Sequence, residues 1–340
     1  MAAKRRKVPV PVKILIGIVI FLLLAMLGIR LFFRIPVMNY YQASEKGFKI
    51  PGLAKGLVPQ GISWDKEDNM FLVTGYQKDG SSTCIWRVDK DTGNALGSVI
   101  LLDEFGQNLV IHAGGLSVHK DYVYVAAGEN DCLYVFSRSE IVKAQDGQTV
   151  DTLGRFHLST EDGVAIQVAF TTVTEDGLIA GEFYREPNYR TPDSHKFTTP
   201  AGDYLQAIAL EYKFSDSPDS VFGLEMLPSK AYALPDLTQG MAAKDGKIFT
   251  SQSYALAFST IGVYDISKLQ EIGEFADVPL YALDSASKIK DLKFPPMSEE
   301  IEFVDGKMYT MCESASSKYI FGIFTGGEWC YSTRVEDLMK

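Results

Sequence analysis

Apolar and polar positions in the last three hundred residues alternate in short runs, and the runs come in pairs joined by tight turns. One unit recurs: a polar and a small residue open an apolar strand, a turn follows, and a second strand ends in polar or aromatic residues. The first copy is Gln60–Trp64, the turn Asp65–Asn69, then Phe71–Tyr76. The second is His112–Val118, turning at Lys120-Asp121, then Val123–Glu129. The third is Gln167–Phe170, turning at Glu175-Asp176-Gly177, then Leu178–Glu182. The fourth is Gln239–Met241, turning at Asp245-Gly246, then Ile248–Tyr254; the fifth is Glu299–Phe303, turning at Asp305-Gly306, then Met308–Glu313. Asp-Gly between alternating apolar runs is a hairpin signal.

A third strand is predicted after each pair, at Ser82–Val88, Cys132–Phe136, Ala207–Tyr212, Ile261–Asp265 and Tyr319–Phe324. Outer strands ending in Pro precede the fourth and fifth copies, at Lys230–Pro235 and Lys290–Pro295. Four strands per unit at a period of about 55 residues predict an all-β fold, a β-propeller. Five blades count directly; six would require a degenerate blade within Asp203–Leu234. Lys46–Pro51 matches the outer strands but has no blade before it, so it is expected to complete the last blade and close the ring. Closure removes two exposed sheet edges.

The first residues follow a different pattern. Ile14–Ile29 is free of charge, and Leu31–Phe33 continue the apolar run past Arg30. About 20 apolar residues cross a bilayer core as a helix. The expected organisation is therefore a basic cytoplasmic tail (1–13), a transmembrane anchor helix (14–33), a linker (34–45) and a propeller domain (46–340) closed by strand 46–51. A cleaved signal peptide is the rival, but its apolar stretch is usually shorter, and Tyr41-Gln42-Ala43 is a poor cleavage site. The cluster Lys4–Lys7 holds the N-terminus in the cytoplasm, so the propeller is expected outside the cell membrane, on a single-pass anchor in contact with lipid.

Charge sharpens that division. The chain of 340 residues carries a net −10, yet residues 1–34 hold seven basic and no acidic residues, so the remainder stands at −17. An acidic body repels phosphate backbones, which makes nucleic acid an unsuitable partner.

Propeller geometry assigns the polar residues to one face. The start of each innermost strand and the end of the next lie at the same end of the ring. Gln60, His112, Gln167, Gln239 and Glu299 should surround the channel mouth, with Tyr76, Glu129, Glu182, Tyr254 and Glu313 on a wider ring. Channel-lining residues are polar in any propeller, so each alone says little; as one pocket they form a ligand site. Glu182, Glu299 and Glu313 are candidate catalytic carboxylates, since a pair can divide into an acid and an ionised partner. His112 is the candidate base. The same carboxylates suit Ca²⁺, although no EF-hand loop is present and no other cofactor is predicted. An insertion, Arg185–Asp203, springs from the same face and brings Arg185, Tyr189, Arg190 and His195 beside the pocket.

No P-loop, dinucleotide fingerprint, zincin motif or Gly-x-Ser-x-Gly elbow occurs. Cys84, Cys132, Cys312 and Cys330 lack metal-ligand spacing. Four cysteines outside the cell allow two bridges in three connectivities, with Cys312–Cys330 the first pairing expected, or all four remain buried and free.

Val58–Ile62, His112–Gly115, Gln239-Gly240, Ser251–Tyr254 and Met297–Ile301 with Glu313–Ala315 together resemble a group of secreted or membrane-anchored bacterial propeller proteins of unassigned function. At fold level the chain is also similar to arabinanase-type hydrolases and to gluconolactonase and strictosidine-synthase propellers, whose catalytic residues do not map onto it. The expectation is an anchored extracytoplasmic propeller that binds an envelope glycan, small molecule or partner protein at its channel face. A hydrolase or lyase using the channel-face carboxylates is the alternative.

Overall fold

The computed structural model describes residues 9–128 and 131–340. Lys4–Lys7 and Glu129 lie outside the described residues. Helix α1 (Val10–Arg34) is apolar on every side and exposed along its length, with only Phe33 buried. At 1.5 Å per residue it extends about 38 Å, enough to cross a bilayer, and it is consistent with a single-pass anchor or a signal sequence.

The linker expected at 34–45 is instead folded onto the domain. A 3-10 turn (Ile35–Val37) and helix α2 (Met38–Ala43) bury Val37, Tyr40 and Ala43. Their three-residue spacing gives one apolar stripe, and Tyr40 meets Phe294 at 4.5 Å between ring centroids. Strand β1 (Ser44–Lys49) follows directly.

Most of the remaining strands form antiparallel groups of four, and two parallel pairings, Val99–Leu102 with Gln148–Asp151 and Ala231–Ala233 with Leu280–Ala282, join neighbouring groups into wider sheets. The first group comprises β2 (Leu57–Asp65), β3 (Met70–Gln77), β4 (Cys84–Asp89) and β5 (Ala95–Leu102). The second has β6 (Leu116–His119), β7 (Tyr122–Ala126), β8 (Cys132–Ser137), a short helix α3 (Arg138–Lys143), and β9 (Gln148–His157). In the third, β10 (Phe170–Val173) and β11 (Gly177–Gly181) precede a small hairpin, β12 (Phe197–Thr198) with β13 (Tyr204–Leu205), and then β14 (Ala207–Lys213) and β15 (Lys230–Leu234). The fourth has β16 (Thr238–Lys244), β17 (Lys247–Gln252) and β18 (Ser259–Asp265); a side hairpin, β19 (Gln270–Phe275) with β20 (Val278–Ala282), intervenes before its outer strand β21 (Lys288–Phe294). The last has β22 (Ser298–Val304), β23 (Lys307–Cys312) and β24 (Trp329–Thr333), with β1 as its outer strand. Ser44 pairs with Thr333 and Phe48 with Cys330, which joins the two ends of the domain. Asp203–Leu234, where a sixth unit would have to lie, supplies the third and fourth strands of the third group.

The inner strands follow one another around a ring: β2 beside β6, β6 beside β10, β10 beside β16, β16 beside β22, and β22 beside β2. This is the β-propeller architecture. The Asp245-Gly246 and Asp305-Gly306 turns have positive φ at both residues, the geometry that matches strand twist in two-residue hairpins. Near the axis, Glu300 of β22 is buried and ties the ring together. Its carboxyl accepts the backbone N–H of Ile62 at 2.7 Å, of Leu116 at 3.0 Å and of Thr171 at 3.3 Å. Those donors belong to β2, β6 and β10, three inner strands far apart in sequence. A Cβ on Gly240 would stand 2.6 Å from the Glu300 Cα, so only glycine lets β16 approach here.

Two further sequence expectations fail. Tyr319–Phe324 is not a strand: it forms turns and the short helix α4 (Gly322–Thr325), and β24 takes the third position. Its apolar residues pack on the end of α1 or stay exposed, and so gain nothing from a sheet. Cys312 and Cys330 form no bridge, and all four cysteines are free. Thr310 pairs with Tyr331, so Cys330 falls opposite Met311 and one residue out of phase with Cys312. One residue out of phase is the opposite face of the sheet. Cys330 accordingly packs with Met311, while the Cys312 thiol meets the Ser298 hydroxyl at 3.8 Å. A last short helix, α5 (Val335–Met339), packs against α2.

Candidate functional site

Three inner strands break their regular pairing at the same end of the ring. Register shifts occur between Pro59 and Ile62 in β2, Thr238 and Gly240 in β16, and Ser298 and Ile301 in β22. A bulge re-aims the side chains that it contains; Gln60 and Gly61 lie within the first, Gln239 within the second, and Glu299 and Glu300 within the third. With the second strands ending nearby, Gln60, Tyr76, His112, Gln167, Glu182, Gln239, Tyr254, Glu299 and Glu313 border one cavity of about 820 Å³.

The carboxylates are not equivalent. Glu299 is 1% exposed, and burial first, then the neighbouring Glu313 carboxylate, pushes its carboxyl well above the usual range. An un-ionised Glu299 can donate its O–H. Glu313 accepts the Tyr76 hydroxyl at 2.7 Å and the Tyr319 hydroxyl at 2.9 Å. Burial and Glu313 together raise the pKa of both phenols, which keeps them as donors. The Lys318 ammonium donates to the Tyr76 hydroxyl and lies over the Tyr76 ring, 4.8 Å from its centroid.

Glu182 has a different occupation. It is 2% exposed; its Oε1 lies 2.9 Å from His195 Nδ1 and its Oε2 accepts the Ile208 N–H at 3.0 Å. His195 is buried too and meets the Phe275 ring edge-on at 5.0 Å. The pair fastens the insertion onto the third group of strands, while Glu182 also borders the cavity. His112 Nε2 is 3.1 Å from Gln60 Oε1, and its ring stacks on Tyr76 at 4.7 Å. That contact fixes the orientation of Gln60 within the mouth.

The insertion is an ordered wall. Tyr189 and Arg190 border the cavity along with Asn188 and Thr191. Arg185 does not border it: its guanidinium lies over one face of the Tyr254 ring, 3.7 Å from the centroid. Arg190 is paired with Glu186. Sequence reasoning missed Tyr319, because the segment it opens reads as a strand, and Lys318 immediately before it. It also missed Asn188 and Thr191, whose loop has no periodicity to place them.

Among the described residues no group of three or more His, Cys, Asp and Glu is placed to hold a metal ion. The cavity offers amides (Gln60, Gln167, Gln239, Asn188), phenols (Tyr76, Tyr189, Tyr254, Tyr319), one acid–carboxylate pair and two cations (Arg190, Lys318). Such a set can bind a neutral polyhydroxylated molecule by hydrogen bonds and ring faces, and can place an acid beside a bound ether or ester oxygen.

No family model and no curated protein matches the chain. Among solved structures it is similar to the glutaminyl cyclase of Myxococcus xanthus, at 12% identity and a TM-score of 0.43 over 85% of this chain and 94% of that one. It is similar also to the PQQ-bound aldose sugar dehydrogenase of Streptomyces coelicolor, at 15% identity and a TM-score of 0.40 over 79% and 76%. A putative glucose dehydrogenase from Thermus thermophilus stands at 13% identity and 0.40 over 79% of each chain. These likenesses assign no chemistry to this chain.

Proposed function

We propose that this chain is a membrane-anchored, outward-facing propeller that binds a glycan in the cavity at one end of its ring. The observation that carries the reading is the mixture on the cavity wall. The phenol rings of Tyr76, Tyr189, Tyr254 and Tyr319 stand among the amides of Gln60, Gln167, Gln239 and Asn188. A sugar presents apolar C–H faces and a rim of hydroxyls, and this wall offers a partner for each. The acidic domain disfavours a polyanionic ligand and favours a neutral or cationic one. Titrating the full chain in detergent with a panel of envelope oligosaccharides tests this. Binding weakened at least tenfold by Gln239→Ala or Tyr254→Ala supports the reading, and no binding to any member of the panel overturns it.

A second reading has its own support. The Glu299 carboxyl, raised by burial and by the neighbouring Glu313, stands in a pair of carboxyl groups on one cavity wall, an arrangement that suits hydrolysis or elimination at a glycosidic or ester oxygen. Turnover of a bound glycan that Glu299→Gln abolishes without weakening binding would favour the enzyme over the binding module.

A further inference from the structure

The loop that joins β23 to β24 serves two neighbours at once. Its first half contributes Glu313, Lys318 and Tyr319 to the cavity. Its second half holds the end of α1 and the helix after it: Phe321 stacks on Phe33 at 5.6 Å with rings 21° apart, and Thr325 O accepts from Arg34 of α1 at 3.2 Å and from Tyr41 of α2 at 2.7 Å. The apolar helix therefore leaves the domain at the end that carries the cavity. Between these two attachments Ile320 is 82% exposed and Ile323 is 65% exposed. Phe32, on the last turn of α1, is 65% exposed as well. Large aliphatic side chains this exposed, continuous with the end of an apolar helix, form a surface whose partner is apolar. Two basic side chains, Arg34 and Lys78, donate to carbonyls of this loop, at Thr325 and Ser317; such cations suit the headgroup layer just above an apolar core.

We propose that Ile320 and Ile323 enter the leaflet in which α1 ends, docking the cavity-bearing end of the propeller against the bilayer. The mouth then opens at the headgroup layer, and the ligand is one presented at the membrane surface, such as the glycan of a lipid-linked saccharide. The docking rests on the reading of α1 as a membrane span; the ligand statement rests also on the glycan reading.

Depth measurement in vesicles tests the docking without any ligand. Full-length Ile320→Trp and Ile323→Trp variants are reconstituted in phosphatidylcholine–phosphatidylglycerol vesicles, with and without lipids brominated along their acyl chains. Leu22→Trp reports the middle of α1, and Ile266→Trp, at the far end of β18, reports the opposite face. The native tryptophans are subtracted as background. The proposal expects blue-shifted emission at positions 320 and 323, quenched at least twofold by brominated lipid, with Leu22→Trp quenched and Ile266→Trp unquenched. Quenching at 22 with none at 320 or 323 overturns the docking and leaves the span standing. No quenching at 22 overturns the span and the docking with it. A failed glycan titration alongside quenching at 320 and 323 overturns only the ligand.

Discussion

Removing the Glu300 carboxyl should cost the domain much of its stability. In Glu300→Ala the N–H groups of Ile62, Leu116 and Thr171 lose the acceptor that each has now. The side chain is 1% exposed, so water does not replace it without reorganising the ring. An orphaned buried donor costs about 1–3 kcal/mol, so three cost roughly 3–9 kcal/mol. Relief from burying an ionisable group offsets part of this, since burial already pushes that carboxyl well above its usual range. Whole domains are stable by only about 5–15 kcal/mol. Glu300→Gln keeps one acceptor oxygen but turns an NH₂ toward at least one of the donors, and should lose about 1–3 kcal/mol. The assay is urea unfolding of the full chain in detergent, followed by tryptophan fluorescence and by circular dichroism in the strand region. The expected order of midpoints is native, then Gln, then Ala, with Ala unfolded or nearly so without urea. An Ala midpoint equal to the native one would refute the role given to Glu300.

Two further outcomes follow from the same structure. Glu299 has a raised pKa in the fold, so between about pH 4.5 and its folded value the native state holds a proton that the unfolded chain has released. Its contribution is therefore fully present below about pH 4.5 and is lost as pH rises, by at most about 1.4 kcal/mol per pH unit. Glu299→Gln should flatten that decline, and unfolding midpoints from pH 5 to 8 that fall equally in both proteins would contradict this. In the native chain Cys132, Cys312 and Cys330 are buried, and burial pushes the Cys312 thiol up to about 12. Iodoacetamide should reach Cys84 alone in the folded protein and all four cysteines after denaturation without reductant. Two thiols still protected after denaturation would reveal a bridge that the strand register excludes.

The repeat could be read from sequence because each copy advertises itself with a polar-small opening, an alternating pair of runs and a turn. That reading put Gln60, His112, Gln239 and Glu299 at one end of the ring, where they meet around the cavity. What it could not see depends on bulges and on packing. Glu299 and Glu300 are adjacent carboxylates inside an irregular stretch of β22; the repeat opening marks Glu299 for the cavity, but nothing in the sequence shows that Glu300 turns to the axis and bonds three other strands. Glu182 looks like Glu313 in its repeat, but the insertion delivers His195 onto it. Tyr319–Phe324 imitates a strand because its apolar residues serve the end of α1 and the exposed surface beside it rather than the core. Residues 34–43 lie past the apolar run, and their three-residue stripe has meaning only against Phe294 and Tyr331.

The most direct test of the account is a structure of the full chain with the tightest-binding oligosaccharide from the panel. The account predicts one sugar ring against Tyr254 or Tyr319, with hydroxyls bonded to Gln60, Gln239 and Glu313. A saccharide bound elsewhere on the domain while the cavity stays empty at saturation would contradict it.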